Sequence, residues 1–161
     1  VCGICGVVSS RAPHPATVDA VTAMTADLVR RGPDDEGTWS DPATGSALGF
    51  RRLAIIDVSR GGAQPKRSAD GEDVLVFNGE IYNHAPLRRE LEAGGVAFRT
   101  RSDSEVLLEA LRRWGLEALP RLRGMFALAW YRPRERRLVL ARDHMGIKPL
   151  YYAREPGGPG I

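Results

Sequence analysis

The run Val74-Leu75-Val76-Phe77, followed at once by Asn78-Gly79-Glu80-Ile81-Tyr82-Asn83, decides how the chain folds. Successive side chains of a strand point to opposite faces, so a short unbroken apolar run is what a strand covered on both sides needs. The run ends abruptly at Asn78-Gly79, which is first of all a turn signal. The same dipeptide also places an amide side chain beside an unobstructed backbone N–H. Two such donors at a strand end can form an oxyanion hole. The stretch by itself leaves the turn and the donor pair both open.

Working outward, residues 2–9 alternate small and apolar side chains and predict a strand. Residues 11–15, with two prolines, predict a loop. Residues 17–30 predict a helix, capped by Thr17, with Val18, Val21, Met24 and Leu28 at helical spacing and Gly32-Pro33 as its stop. Short strands are expected at 37–39 and within 46–56, with a turn at 41–45. A loop follows around Gly61, Gly62 and Pro65. Beyond the opening stretch, 85–94 predicts a helix and 96–99 a short strand. Ser102-Asp103-Ser104-Glu105 is a capping box that opens a further helix, which carries Val106, Leu107, Ala110, Leu111 and Trp114 inward. Residues 124–131 and 137–141 flank Pro133 as a hairpin. Residues 149–153 predict one more strand, and 156–161 has turn or linker composition. Strands outnumber helices and hairpin signals recur, which predicts α+β with antiparallel sheets and helices on the sheet faces.

The chain has 161 residues, 43% hydrophobic and 27% charged, with a net charge of +3. These values are ordinary for a soluble globular domain. The densest basic run, Arg132-Pro133-Arg134-Glu135-Arg136-Arg137, is broken by Pro133 and Glu135. It reads as an exposed turn, not as a nucleic-acid face with stacking aromatics. No charged and apolar leader opens the chain, and no apolar run approaches the roughly 20 residues that span a bilayer. A soluble, cytoplasmic protein without membrane or nucleic-acid partners is expected.

Several groups carry chemistry. Cys2, in Val1-Cys2-Gly3-Ile4-Cys5-Gly6, would hold both a thiol and a free α-amine if residue 1 is removed. Such an amine titrates at about 7.7–8.0, so one residue could supply its own nucleophile and base. A pair of small buried strand cysteines is the simpler alternative. A dithiol or zinc role for Cys2-x-x-Cys5 lacks the strand–helix context and the further ligands it needs. Arg30-Arg31-Gly32-Pro33-Asp34 reads as a helix end with arginines against the dipole. Arg51-Arg52 interrupts an apolar run, and a buried arginine needs a partner. That partner is either an internal carboxylate or the carboxylate of a substrate. Asp103 either caps its helix or pairs with an ammonium group across a cleft.

With these residues in hand, the sequence resembles the class II glutamine amidotransferase domain, an N-terminal-nucleophile hydrolase. It is most similar to the amino-terminal half of glutamine-dependent asparagine synthetases. The resemblance rests on Cys2-Gly-Ile-Cys-Gly6, Arg31-Gly-Pro-Asp34, Arg52-Leu-Ala-Ile-Ile-Asp57, Gln64-Pro65, Asn78-Gly-Glu-Ile-Tyr-Asn83, Ser102-Asp-Ser-Glu105, Arg123-Gly-Met-Phe-Ala127 and Arg142-Asp-His-Met-Gly-Ile-Lys-Pro-Leu-Tyr151, in the family's order. It implies a four-layer αββα sandwich of two antiparallel sheets. It implies that Cys2, exposed as the first residue, attacks the glutamine side-chain amide. Asn78 and Gly79 would hold the oxyanion, and Arg52 the substrate carboxylate. Asp103 and Glu80 would hold its ammonium, while Leu53, Ala54, Ile55 and Ile56 line the pocket. Residues 142–151 are expected to be structural or interdomain, with no catalytic role. No metal or cofactor is implied for this chain; ATP and Mg belong with a synthetase domain that is absent from it. The expected partners are L-glutamine and an ammonia-accepting synthetase domain or subunit, with a homodimer open. The family starts from a removed methionine where this chain has Val1, and it continues with further strands. Residues 1–161 are therefore expected to be a truncated amidotransferase domain lacking its last strands, and either a working glutaminase or an incomplete or regulatory fragment.

Overall fold

The computed structural model describes residues 2–9, 16–54 and 60–154. The expected loop at 11–15, the expected linker at 156–161, and Ile55 and Ile56 lie outside the described residues. Two antiparallel sheets form the centre. The first has the order β1-β3-β2, from β1 (Gly3–Val7), β2 (Asp35–Asp41) and β3 (Ser46–Arg52). The second has the order β4-β5-β6-β7, from β4 (Lys66–Arg67), β5 (Val74–Ile81), β6 (Gly124–Arg132) and β7 (Arg137–Arg142). Helix α1 (Ala16–Asp27) covers the first sheet, and α2 (His84–Ala93) and α3 (Asp103–Trp114) belong to the second.

The period-2 alternation of β5 and β6 explains the layers. Val74 and Val76 of β5, with Ala129 and Tyr131 of β6, meet Leu48 and Phe50 of β3 between the sheets. Leu75, Phe77 and Ile81, with Phe126, Leu128 and Trp130, face the other way onto Leu87 and Leu91 of α2 and onto α3. Val74 to Phe77 are all at most 3% exposed, as a strand covered on both faces requires. The result is the αββα order of layers. Glycine sets how closely α1 approaches: a Cβ at Gly49 would lie 2.0 Å from Thr25 Oγ1 and 2.7 Å from Cys5 Sγ.

Several local expectations are corrected. Asn78-Gly79 is no turn, because β5 runs through it to Ile81 and pairs Asn78 with Ala127 and Gly79 with Phe126. Glycine is needed there because a Cβ would fall 2.0 Å from the Met125 carbonyl oxygen. Helix α1 begins at Ala16, so Thr17 sits inside its first turn; Val18 faces solvent, and Thr25 joins Val21 in the buried face. Residues 96–99 form no strand, because the amides of Arg99 and Thr100 donate to the Glu105 carboxylate instead of to a ladder. Residues 149–153 form none either. Pro149 withholds one ladder donor, and Tyr151 and Tyr152 stand exposed. The Pro133 hairpin is as expected, and its arginines pair with acids: Arg132 with Asp73 and Glu135, and Arg134 with Glu72.

Candidate active site

A cleft of about 90 Å³ opens where the space between the sheets meets the end of β3 and the latter half of β5. Of the residues singled out from sequence, Cys2, Arg52, Leu53, Asn78, Gly79, Glu80 and Asp103 line it together. Ala54 does not appear in its wall; its amide is bound to Asp34 Oδ2 at 2.8 Å. Segments far apart in the chain thus converge, and each is positioned for a local reason.

Cys2 immediately precedes β1. Its sulfur accepts the Leu53 N–H at 3.3 Å and its thiol lies 3.6 Å from the Leu53 carbonyl oxygen. Cys5 is on the opposite side, with its sulfur 3.4 Å from Thr25 Oγ1 and 3.9 Å from the Val21 carbonyl oxygen. Burial pushes the Cys5 thiol pKa up, against opposing hydrogen bonds from Thr25 and the Gly49 backbone. The two thiols face different layers, so Cys2-x-x-Cys5 does not present a dithiol. Cys2 packs at the inter-sheet cluster and lines the cleft, whereas Cys5 is a half-buried side chain against α1.

The Arg51-Arg52 pair divides by strand alternation. Arg51 Nε donates to the Gly32 carbonyl oxygen at 2.9 Å, and its guanidinium pairs with Glu36. Arg52, on the inter-sheet face with Leu48 and Phe50, lines the cleft while being 7% exposed. The Arg31-Gly-Pro-Asp34 loop braces this strand end. Gly32 lies so close that a Cβ would sit 2.4 Å from Arg52 N. Asp34 N–H donates to the Arg52 carbonyl oxygen at 3.0 Å, and the Asp34 carboxylate accepts the Ala54 N–H. The helix-end arginines are thus secondary to a loop that fixes the backbone carrying Arg52 and Leu53.

On the facing sheet, Asn78 and Glu80 project from β5 toward the first sheet. Asn78 is 6% exposed, and its Oδ1 has no hydrogen-bond partner among the described residues. A buried amide oxygen without a partner is costly, and here it leaves an acceptor open. Gln64 straddles the neighbouring residue: its Nε2 donates to the Phe77 carbonyl oxygen at 3.1 Å and its Oε1 accepts the Phe77 N–H at 2.7 Å. That clamp fixes the stretch of β5 leading into Asn78.

Asp103 is the first residue of α3. Ser102 Oγ caps the helix by accepting the Glu105 N–H at 3.3 Å. The capping box is only half made, since Glu105 reaches back to Arg99 and Thr100 and not to Ser102. Asp103 Oδ2 accepts the Ile81 N–H at 3.0 Å, which ties the helix start to the end of β5. Burial raises the Asp103 pKa, and nearby Glu80 adds to this. The Ile81 and Ser104 amides and His84 oppose the rise without cancelling it. A carboxylate so placed gains from a cation entering the cleft.

Sequence reasoning missed Ser102, Ser104, Met125 and Lys148 as parts of the wall. Ser102 and Ser104 were visible as a helix start but not as cleft residues. Lys148 belongs to the 142–151 segment, which carried no chemical signal of its own. Among the described residues no cluster of His, Cys, Asp or Glu is arranged to hold a metal ion, and no helix is long and apolar enough to cross a membrane.

Comparison with known proteins agrees with this geometry. A family model described as "Glutamine amidotransferase domain" matches residues 1–159. Asparagine synthetase [glutamine-hydrolyzing] 1 of Bacillus subtilis (strain 168) is 46% identical over 155 residues, covering 94% of this chain and 24% of the relative. A putative asparagine synthetase [glutamine-hydrolyzing] of Mycobacterium tuberculosis (strain ATCC 25618 / H37Rv) is 43% identical over 174 residues, covering 100% of this chain and 26% of the relative. The chain thus spans about a quarter of the length of these curated relatives. Among solved structures, the glutamine phosphoribosylpyrophosphate amidotransferase of B. subtilis, complexed with ADP and GMP, matches with a TM-score of 0.51 and 27% identity over 63% of this chain and 24% of that one. A structure described as the allosteric regulatory enzyme of purine biosynthesis matches with a TM-score of 0.56 and 28% identity over 66% of this chain and 25% of that one. On the family match and on the convergence of its characteristic residues in one cleft, the chain belongs to the glutamine amidotransferase domain family.

Proposed function

We propose that this domain hydrolyses the side-chain amide of L-glutamine and supplies the ammonia to an asparagine-synthetase-type amidation carried by a separate domain or subunit. The observation that carries the reading is the placement of Cys2. Its sulfur is held at the Leu53 amide in the same cleft as Asn78, Gly79, Arg52 and Asp103. Cys2 attacks the γ-carbonyl carbon, and the carbonyl oxygen, now an oxyanion, is taken by the Asn78 side-chain amide and the Gly79 N–H. Collapse breaks the C–N bond, and ammonia leaves after taking a proton through the Cys2 α-amine. Water then adds to the glutamyl thioester, the C–S bond breaks, and glutamate departs with the thiol restored.

Arg52 receives the substrate α-carboxylate through its guanidinium fork. Asp103 and Glu80 receive the α-ammonium, and Leu53 shapes the wall beside Cys2. The mechanism requires Cys2 to be the first residue of the mature chain, so that its α-amine is free. No cofactor takes part in this chain; ATP and Mg serve the amidation step elsewhere. Glutamate release measured on wild-type protein and on Cys2→Ala tests the reading, with intact mass recording the first residue. Wild-type release that is lost in Cys2→Ala is expected. Equal release from both, or none from a chain that begins at Cys2, overturns the mechanism in favour of an assembly or regulatory role.

A further inference from the structure

The cleft contains one charge that the mechanism above leaves unused. Lys148 is 8% exposed and lines the same cleft as Asn78, Gly79 and Met125. Its backbone is fixed by Asp143, whose Oδ2 accepts the Lys148 N–H at 2.9 Å and the Phe126 N–H at 3.1 Å, while Oδ1 accepts the Ile147 N–H at 2.8 Å. That carboxylate is thus occupied by backbone amides. The Lys148 ammonium makes no ion pair or side-chain hydrogen bond among the described residues. A cation on so covered a side chain, without a carboxylate beside it, gains from a ligand that brings negative charge.

The charges of the substrate identify which negative charge that is. Under the proposed reaction, on which this inference rests, Arg52 meets the α-carboxylate, and Asp103 and Glu80 meet the α-ammonium. The side-chain end of glutamine is neutral. It turns negative only as the reaction proceeds, first on the oxygen of the tetrahedral intermediates held by Asn78 and Gly79, then on the γ-carboxylate of glutamate. Lys148 lines the same cleft of about 90 Å³ as Asn78 and Gly79, where charges interact more strongly than in open water. We propose that Lys148 is a specificity-determining residue, which favours the anionic side-chain end of the intermediates and of product glutamate over the neutral amide of glutamine.

The consequence is a split between product and substrate. Isothermal titration of glutamine and glutamate into the full chain carrying Cys2→Ala, with Lys148, Lys148→Met or Lys148→Arg, reads it directly. Lys148→Met is expected to weaken glutamate binding about tenfold while glutamine binding stays within about threefold, and Lys148→Arg is expected to restore the difference. With Cys2 present, Lys148→Met is expected to lower kcat by a similar factor at nearly constant KM. Lys148→Gln, which keeps a polar side chain of related length, gives the same readout should the methionine variant fail to fold. Parallel loss of both ligands would assign Lys148 a packing role, and no change in either would assign it none; each overturns the proposal. Protein that begins at Cys2 and releases no glutamate sinks the hydrolase reading, whereas an unmoved ratio in protein that does release it sinks the Lys148 assignment alone.

Discussion

Asp103 and Asp143 are both buried acids in the second sheet's surroundings, 8% and 4% exposed, yet the fold treats them oppositely. Asp143 is built into a turn. Burial pushes its pKa up, but the amides of Lys148, Ile147 and Phe126, joined by that of Met145, outweigh this and hold it at about 2. Asp103 has fewer amides to satisfy it, from Ile81 and Ser104, and its pKa stays raised by burial. A carboxylate wrapped in backbone donors is a structural staple, because its hydrogen-bonding capacity is already used. One left short of donors at the wall of a cleft is poised for a ligand. The pair separates support from exposure to the cleft, since Asp143 fixes the Lys148 backbone and Asp103 itself lines the cleft wall.

Exchanging each acid for its amide is the strongest way to break the comparison. Asp103→Asn is expected to lower kcat/KM for glutamine on the order of 10²- to 10³-fold by removing the proposed buried partner of the α-ammonium. Its stability is expected to change by less than about 1 kcal/mol, because the asparagine oxygen can still accept the Ile81 N–H. Asp143→Asn should do the reverse. It replaces one acceptor oxygen by a donor facing backbone N–H groups, and a loss of about 2–4 kcal/mol in unfolding free energy is expected. Urea denaturation and steady-state glutaminase kinetics on the same preparations measure both. A destabilised Asp103→Asn with unchanged kinetics would reverse the assignment.

Acid titration sharpens the contrast, because the two shifts have opposite signs. The folded-state pKa of Asp143 is depressed to about 2, below the ordinary value of about 3.9. Its contribution is therefore present above about pH 4 and is lost as the pH falls toward 2. Asp70, held at about 2 chiefly by the Ser68 hydroxyl, adds to the same limb. Asp103 has a raised folded-state pKa, so its contribution is present below its unfolded value and is lost as pH rises through the folded one. Unfolding free energy measured across pH 2–5 is expected to fall on the acid side, with a shallower slope in Asp143→Asn. KM for glutamine should begin to rise on acidification while the pH is still above the ordinary carboxylate range, as Asp103 takes a proton. A KM that stays flat down to about pH 4 would remove Asp103 from substrate binding.

Much of this was legible in the sequence because it depends on periodicity and position. The unbroken Val74–Phe77 run required cover on both faces, and the spacing of Val106, Leu107, Ala110 and Leu111 required a buried helix face. The rest depended on contacts between distant segments. Nothing local distinguishes Arg51 from Arg52; the Gly32 carbonyl and Glu36 claim the first, and strand alternation sends the second inward. Asn78-Gly79 reads as a turn until β6 is laid beside it, when the glycine becomes the only residue that avoids the Met125 carbonyl. The capping box marks the helix start, but Glu105 accepts the Arg99 and Thr100 amides because the preceding loop bends back across that start. Lys148 gave no signal because its burial is set by the Asp143 turn and not by its neighbours in the chain.

The smallest expected effect tests how far the helix start itself, as opposed to Asp103, governs recognition. Ser102 Oγ accepts the Glu105 N–H and also meets the hydroxyls of Thr100 at 2.8 Å and Ser104 at 3.1 Å. Ser102→Ala leaves one amide of the first turn without its cap, a loss of about 1 kcal/mol. The first turn is held elsewhere as well, by Glu105 on the Arg99 and Thr100 amides and by Asp103 on Ile81. The Asp103 carboxylate should therefore keep its place, with KM for glutamine rising less than about threefold. A larger rise in KM without a matching loss of stability would mean that the Ser102 hydroxyl, which lines the cleft, touches the substrate directly. Recognition at this wall would then extend from the carboxylate to the cap that supports it.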